Sequence, residues 1–219
     1  SIFGSSGATE VRLRIYPDVG VARLRVFGRA AVAPALLLPG ARGDFAAAQN
    51  GAQVLAVSDM FFGAKENLIL PGRAANMGEG WETRRRRGVG PAMGNDWSIV
   101  RLAAPALIER VLIDTAHFKG NYPDRFSLEA AHLSREEQSL DRLLGYAGGT
   151  PTPWRELIST RPLKADTSHI FTAKDFSPLW KKKPVTNLRL HVFPDGGVSR
   201  LRVFGVRSSE AEPVKRRSK

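Results

Sequence analysis

Eleven residues, DTAHFKGNYPD from Asp114 to Asp124, follow directly on an apolar run, IERVLIDT. A strand that ends this way delivers an acid, an imidazole, an amine and an amide to one place. Histidine moves protons in both directions near neutral pH. His117 is therefore a candidate acid or base, with Asp114 to orient it and Lys119 and Asn121 to bind or neutralise oxygens. The plain alternative is a polar turn, since GNYP is turn chemistry by itself. A second stretch, NMGEGWETRRRR (Asn76–Arg87), sets Glu82 beside Arg84 and Arg85. A guanidinium is a planar fork that grips a carboxylate through two hydrogen bonds. Glu82 can serve as a general base or simply as an ion-pair partner, and solvated surface arginines are the alternative for the whole run. A third stretch, SDMFFGAKENLI (Ser58–Ile69), offers Asp59 as one wall of a pocket, or else a strand end with Phe61 and Phe62 in the core.

Other chemistries lack their signatures. There is no cysteine, which removes disulfides, thiolate metal ligands and a cysteine nucleophile. The four histidines, His117, His132, His169 and His191, show no i, i+2 or i, i+4 pair, so no local metal motif is present. A divalent ion held by His and Asp or Glu from distant segments is left as a second route, and no cofactor is expected. Neither a phosphate loop nor a nucleophile elbow is found, and GVGPAMG does not fit a dinucleotide fingerprint.

The elements that must position these groups read as strands. AQVLAVS, DWSIVRLA (Asp96–Ala103), IERVLIDT (Ile108–Thr115), RFSLEAAHL (Arg125–Leu133) and TPWRELIST are short apolar runs separated by Pro, Gly and Asp, the pattern of an antiparallel β-sandwich. SREEQSLDRLLGY (Ser134–Tyr146) is the best helix candidate, with Ser134 as N-cap and Glu137 at capping-box spacing. The strongest organisational signal is a repeat. VRLRIYPDVGVARLRVFG (Val11–Gly28) and LRLHVFPDGGVSRLRVFG (Leu188–Gly205) are identical at 12 of 18 positions and lie 177 residues apart. Apolar alternation on both sides of Pro-Asp-x-Gly predicts a β-hairpin, with a bulge near the turn to bring Leu13, Ile15, Val21, Leu24 and Val26 onto one face. A period of that length is a whole domain, not a solenoid unit. The expected organisation is a remnant of a preceding copy at 1–30, a linker of little fixed structure at 31–51 (with DFAAAQNGA able to make a helical turn), a complete copy at 52–206 and a basic tail at 207–219.

Bulk properties narrow the partners. Of 219 residues 42% are hydrophobic, enough for a core, and no run approaches a membrane span. No signal peptide is visible in SIFGSSGATE; with no initiator Met, the chain reads as a fragment or a processed piece. The net charge of +12 invites a nucleic-acid reading, but no recognition helix, zinc finger or RNA-binding aromatic signature accompanies RRRR, KKK and KRRSK. A basic surface for small anionic substrates explains the charge equally well, so neither nucleic acid nor membrane is expected as a partner.

Taken together, SDMFFGAKENLILPGRAANMGEGWETRRRR, DWSIVRL, DTAHFKGNYPD and HVFPDGGVSRLRVFG resemble the allantoicases, over roughly Val54–Val206 plus Val11–Gly28. The resemblance implies two tandem jelly-roll β-sandwich domains of the galactose-binding type, of which this chain holds one complete copy and the terminal hairpin of the other. It also implies hydrolysis of allantoate to ureidoglycolate and urea in purine breakdown, and a homo-oligomer. On that reading Arg84 or Arg85 holds the substrate carboxylate, His117 and Glu82 are acid and base with Asp114 orienting, and Lys119, Asn121 and Asp59 position the substrate. A cytoplasmic enzyme is expected, with a peroxisomal one as the alternative, although RRSK is not a clear peroxisomal ending. The competing function is a non-catalytic jelly-roll module that binds a ligand or carbohydrate.

Overall fold

The computed structural model describes residues 8, 10–18, 20–26, 31–36, 38–87, 94–134, 136–145 and 152–209. The strands are β1 (Arg42–Asp44), β2 (Gln53–Val57), β3 (Trp81–Glu82), β4 (Asp96–Asp114), β5 (Arg125–Ala131), β6 (Arg155–Pro162), β7 (Ser168–Thr172), β8 (Val185–Phe193), β9 (Gly197–Val198) and β10 (Arg200–Arg207). Every pairing among them is antiparallel.

β4 organises the molecule. Two apolar runs that read as separate strands form one 19-residue strand. Its first part pairs with β2 and β8, and its second with β10 and β7. Pro105, which has no N–H to give a ladder, sits near the change of partner. One layer is thus β2-β4-β8-β5-β6 and the other β7-β4-β10-β1. Between them lie Val100, Val111 and Ile113 of β4, Phe126 and Leu128 of β5, Leu188, Leu190 and Val192 of β8, and Leu201 and Val203 of β10, all buried. This is the antiparallel β-sandwich that the strand pattern implied, and the jelly-roll domain that the resemblance implied.

The repeated motif is not a hairpin. β8 pairs with β4 and β5, β10 pairs with β4 and β1, and the two arms do not pair with each other. Residues 193–199 form an arch that carries the chain from one layer to the other. Each arm faces the core from its own sheet, so no bulge at the turn is needed. The register shift in β10 falls instead between Phe204 and Gly205. Alternation specifies a strand; it does not say whether the next strand lies beside it or opposite it.

The first copy of the motif differs sharply. Described residues 10–18 and 20–26 form no strand, and Val11, Leu13, Ile15, Val21, Leu24 and Val26 are all more than 40% exposed. Their counterparts Leu188, Leu190, Val192, Val198, Leu201 and Val203 are fully buried. An isolated pair of strands without a sheet or helix to cover it is marginal in water.

The segment read as a linker belongs to the sandwich. Arg42–Asp44 is β1, and Phe45, Ala46 and Ala47 are fully buried. The Asp44 carboxylate accepts the N–H of Ala46 (3.0 Å) and of Val203 (2.9 Å), which fastens this corner to β10. Ala48–Asn50 makes the single helical turn. Ser134 and Glu137 do form reciprocal capping contacts, Ser134 N–H to Glu137 Oε2 at 2.9 Å and Glu137 N–H to Ser134 Oγ at 3.4 Å. Among the described residues only Leu140–Leu144 (α1) is α-helical, and Leu143 packs with Ile99, Ala131, Leu133 and Trp154 on the outer face of the first layer. The basic tail from residue 210 onward lies outside the described residues.

Candidate active site

Two segments named from the sequence, Trp81–Arg87 and Asp114–Asp124, meet at the arch. β3 pairs with β9 within the arch, Trp81 opposite Val198 and Glu82 opposite Gly197. Trp81 is fully buried and its indole N–H donates to the Asp59 carbonyl (2.9 Å). Phe118, also fully buried, draws the second segment in. Its ring occupies the space that side chains on Gly80 and Gly197 would need: a Cβ would lie 2.6 Å and 1.9 Å from ring carbons. Gly197 N–H donates to the Asn121 carbonyl at 2.8 Å. The result is a direct contact between the segments: the Asn121 amide donates to Glu82 Oε1 at 2.5 Å and lies 3.2 Å from Met77 Sδ. Arg85 Nη2 reaches the Gly120 carbonyl at 3.4 Å.

Three aspartates hold the arginine run. Asp59 Oδ1 accepts the N–H of Arg84 (2.6 Å) and of Phe61 (3.1 Å). Asp195 Oδ2, from the arch, accepts the Arg86 N–H at 2.7 Å. Asp96, buried to 1% exposure, takes the Arg86 guanidinium on Oδ1 at 2.7 and 3.1 Å and also accepts the Ser58 hydroxyl at 2.8 Å. Arg86 is therefore an anchor. Arg84, Arg85 and Arg87, with Phe62, line an open pocket of about 440 Å³. The Arg84 guanidinium lies over the Phe61 ring, 4.3 Å from its centre.

His117 contacts the loop that supplies Met77. Its Nε2 is 2.9 Å from the Ala74 carbonyl. A carbonyl only accepts, so Nε2 carries a proton and Nδ1 is left for exchange. The backbone of His117 is left-handed (φ 71°), as is that of Asp166 (φ 47°), and Asp166 Oδ1 accepts the His117 N–H at 2.7 Å. Such a backbone is uncommon outside glycine. Asp114 does not orient the imidazole: it is buried, its Oδ1 accepts the Ala116 N–H at 2.9 Å, and His117 leans on Ala74 and Asp166 instead. Lys119 is exposed.

Residues 43–208 match the allantoicase repeat family. The chain belongs to the allantoicases. "Probable allantoicase 1" of Burkholderia mallei (strain ATCC 23344) is 46% identical over 204 residues, 90% of this chain and 54% of that protein. "Allantoicase" of Dictyostelium discoideum is 44% identical over 195 residues, covering 89% and 49%. A solved allantoicase structure from Saccharomyces cerevisiae superposes with a TM-score of 0.60 at 33% identity, covering 78% of this chain and 45% of that one. The chain spans about half the length of the curated relatives it matches.

In this allantoicase repeat the structure brings together Glu82, Asn121, Asp59, Arg84 and Arg85, while His117 contacts Ala74 of the loop that also carries Met77. It does not bring Asp114 into the group. Three residues escaped the sequence reading: Asp96, Asp166 and Asp195. Only Asp195 carried a signal, since it is repeated as Asp18 in the earlier motif. Asp96 and Asp166 are single acids whose partners are 10 and 49 residues away. Among the described residues no three His, Asp or Glu side chains cluster closely enough to hold a metal ion, and no helix is long and apolar enough to cross a membrane.

Proposed function

We propose that this chain is the site-bearing part of an allantoicase, converting allantoate and water to ureidoglycolate and urea. The observation that supports it most is a pocket walled by three arginines beside a carboxylate–amide pair, Glu82 and Asn121. Allantoate carries a carboxylate and two ureido groups on one sp³ carbon. Arg84 and Arg85 take the carboxylate, Phe62 flanks a planar ureido group, and Asn121 Oδ1 accepts ureido N–H. Lys119 adds positive charge at the rim. Glu82 acts as base and His117, protonated on Nδ1, as acid.

In direct displacement, Glu82 takes a proton from water as its oxygen bonds to the central carbon. The C–N bond breaks and His117 protonates the departing nitrogen, so urea leaves as a neutral molecule. The same pair serves a stepwise path. Glu82 then removes the N–H proton of the retained ureido group, the C=N bond forms as urea departs with the His117 proton, and water adds across the imine. Either way one C–N bond is exchanged for one C–O bond, and the two site residues exchange protons with solvent between turnovers.

The test is urea release from allantoate by the purified chain, with the Dictyostelium relative assayed alongside. Urea from both supports the reading. A folded chain that releases none, while the relative does, rejects activity in this half. We also propose an oligomer, supported by the exposed Met60, Phe61 and Met77, to be measured by light scattering. A reducing compartment such as the cytoplasm fits a chain without cysteine.

A further inference from the structure

The arch does more than carry the chain between layers. Within five residues it touches both segments of the site. Pro194 O accepts the Asp96 N–H (3.2 Å), which places the carboxylate that anchors the Arg86 guanidinium. Asp195, only 5% exposed, holds the Arg86 backbone N–H. Gly196 exchanges bonds with Thr83: its N–H donates to Thr83 Oγ1 at 3.0 Å, and its carbonyl accepts the Thr83 N–H at 3.4 Å. Gly197 pairs with Glu82 and donates to the Asn121 carbonyl. The candidate site residues flank these tethers: Glu82 and Arg84 on either side of Thr83, and the pocket-lining Arg85 and Arg87 on either side of Arg86.

We propose that Asp195 and Gly196 are positioning residues of the allantoate site, and that the repeated motif can build this bracket only in its second copy. The proposal rests on the functional reading above. Gly196 has φ 126°, a backbone that L side chains rarely adopt. A Cβ there would lie 2.6 Å from the Asn121 carbonyl oxygen and 2.9 Å from Pro123 N. A side chain would push residues 121–123 away from the arch and pull Asn121 off Glu82. The first motif keeps the aspartate, as Asp18, but has Val19 where the second has Gly196. A β-branched residue is the least suited of all to that backbone. The two copies therefore share their apolar pattern and the turn aspartate, and differ at the turn position whose backbone the bracket needs.

The experiment compares the whole chain with Asp195→Ala, Asp195→Asn and Gly196→Val, the last being the substitution the first motif carries. Amide hydrogen exchange is followed in peptides covering 81–87 and 118–124, with β4 and β8 as internal references. The expected result for Asp195→Ala and Gly196→Val is exchange about tenfold faster in the 81–87 peptide, the factor expected for losing a hydrogen bond to a charged group. Gly196→Val does the same at 118–124, and protection in β4 and β8 is unchanged. For allantoate turnover the expected result is KM raised about tenfold by Asp195→Ala with kcat within about twofold, because the arginines that grip the carboxylate have moved. Asp195→Asn, which keeps an oxygen acceptor in place, recovers both protection and KM. Wild-type exchange at 81–87 in Asp195→Ala, or equal KM and kcat losses that Asp195→Asn does not recover, overturns the positioning role. Should Gly196→Val lose protection in β4 and β8, the valine has unfolded the sandwich and the Asp195 pair decides. A wild-type chain that releases no urea defeats the functional reading, while the exchange result still decides the bracket.

Discussion

At the scale of single residues, the contact between Glu82 and Asn121 makes the sharpest demand. Replacing Asn121 by Asp sets a second carboxylate within 2.5 Å of Glu82 Oε1. Two such groups cannot both ionise, so one proton is retained and the base is blocked near neutrality. Asn121→Asp is expected to lower kcat for urea release by about a hundredfold at pH 7 and to move the acid limb of the pH–rate profile upward. A profile with the limb in its wild-type place would remove Glu82 as the base. His117→Ala is expected to lose between about a hundredfold and ten-thousandfold in kcat, the usual worth of a positioned acid. A folded, fully active His117→Ala would take histidine out of the reaction. The types and order of these residues were legible from the sequence. Their partners were not: Asp166 against His117, and Ala74 in place of Asp114, are contacts across 49 and 43 positions that no local spacing encodes.

At the scale of elements, two ionic features join strands and loops. β5 and β8 are pinned outside the core by Glu129, whose Oε2 takes Arg189 Nε at 2.6 Å and His191 Nε2 at 2.8 Å. Burial pushes the Glu129 carboxyl up, but the bonds from His191 and Arg189 outweigh it and bring the group down to about 2 from 4.5. A carboxyl depressed in the folded state stabilises fully above its unfolded value, and that support drains away as pH falls from about 4.5 to about 2. The melting temperature of the wild type should fall through that window more steeply than that of Glu129→Gln; parallel curves would show that the pair does not couple to folding. The second feature is Arg200, 3% exposed, whose guanidinium takes the carbonyls of Asn67, Gly72 and Glu79 and so holds the loop that carries Ala74 and Met77. Arg200→Met leaves those oxygens unpaired, and we expect a loss of about 3 kcal/mol in urea unfolding; a change under about 1 kcal/mol would mean the loop finds other donors. Neither element role was visible in the chain order. Alternation at Leu188–Phe193 and Arg200–Gly205 predicted strands correctly and their mutual pairing wrongly, because period 2 defines two faces and says nothing of neighbours.

For the whole molecule, the two copies of the motif are a built-in control. Leu13 and Leu190 occupy matching positions, one 51% exposed and the other fully buried. Leu190→Ala is expected to cost between about 2 and 5 kcal/mol, and Leu13→Ala within about 0.5 kcal/mol of nothing. Chemical denaturation of the two variants measures both, and equal losses would mean that the first motif is packed in solution.

Some properties were set locally. Strand content, the sandwich class, the capping box at Ser134 and the clustering of Arg84–Arg87, Glu82 and Asn121 into candidate stretches all follow from residue type and short spacing, because propensity and patterning act over a few positions. The tertiary structure alone decided that β4 is one strand shared by two layers and that the Pro-Asp-Gly-Gly turn is an arch. It also decided that residues 42–44 form a strand of the sandwich and that Phe45–Ala47 are buried, and that Arg86 is an anchor while its neighbours face a pocket. Each of these depends on which distant surface is available to be buried or bonded, and identical apolar patterns at 11–26 and 188–203 end exposed or buried according to that surface alone.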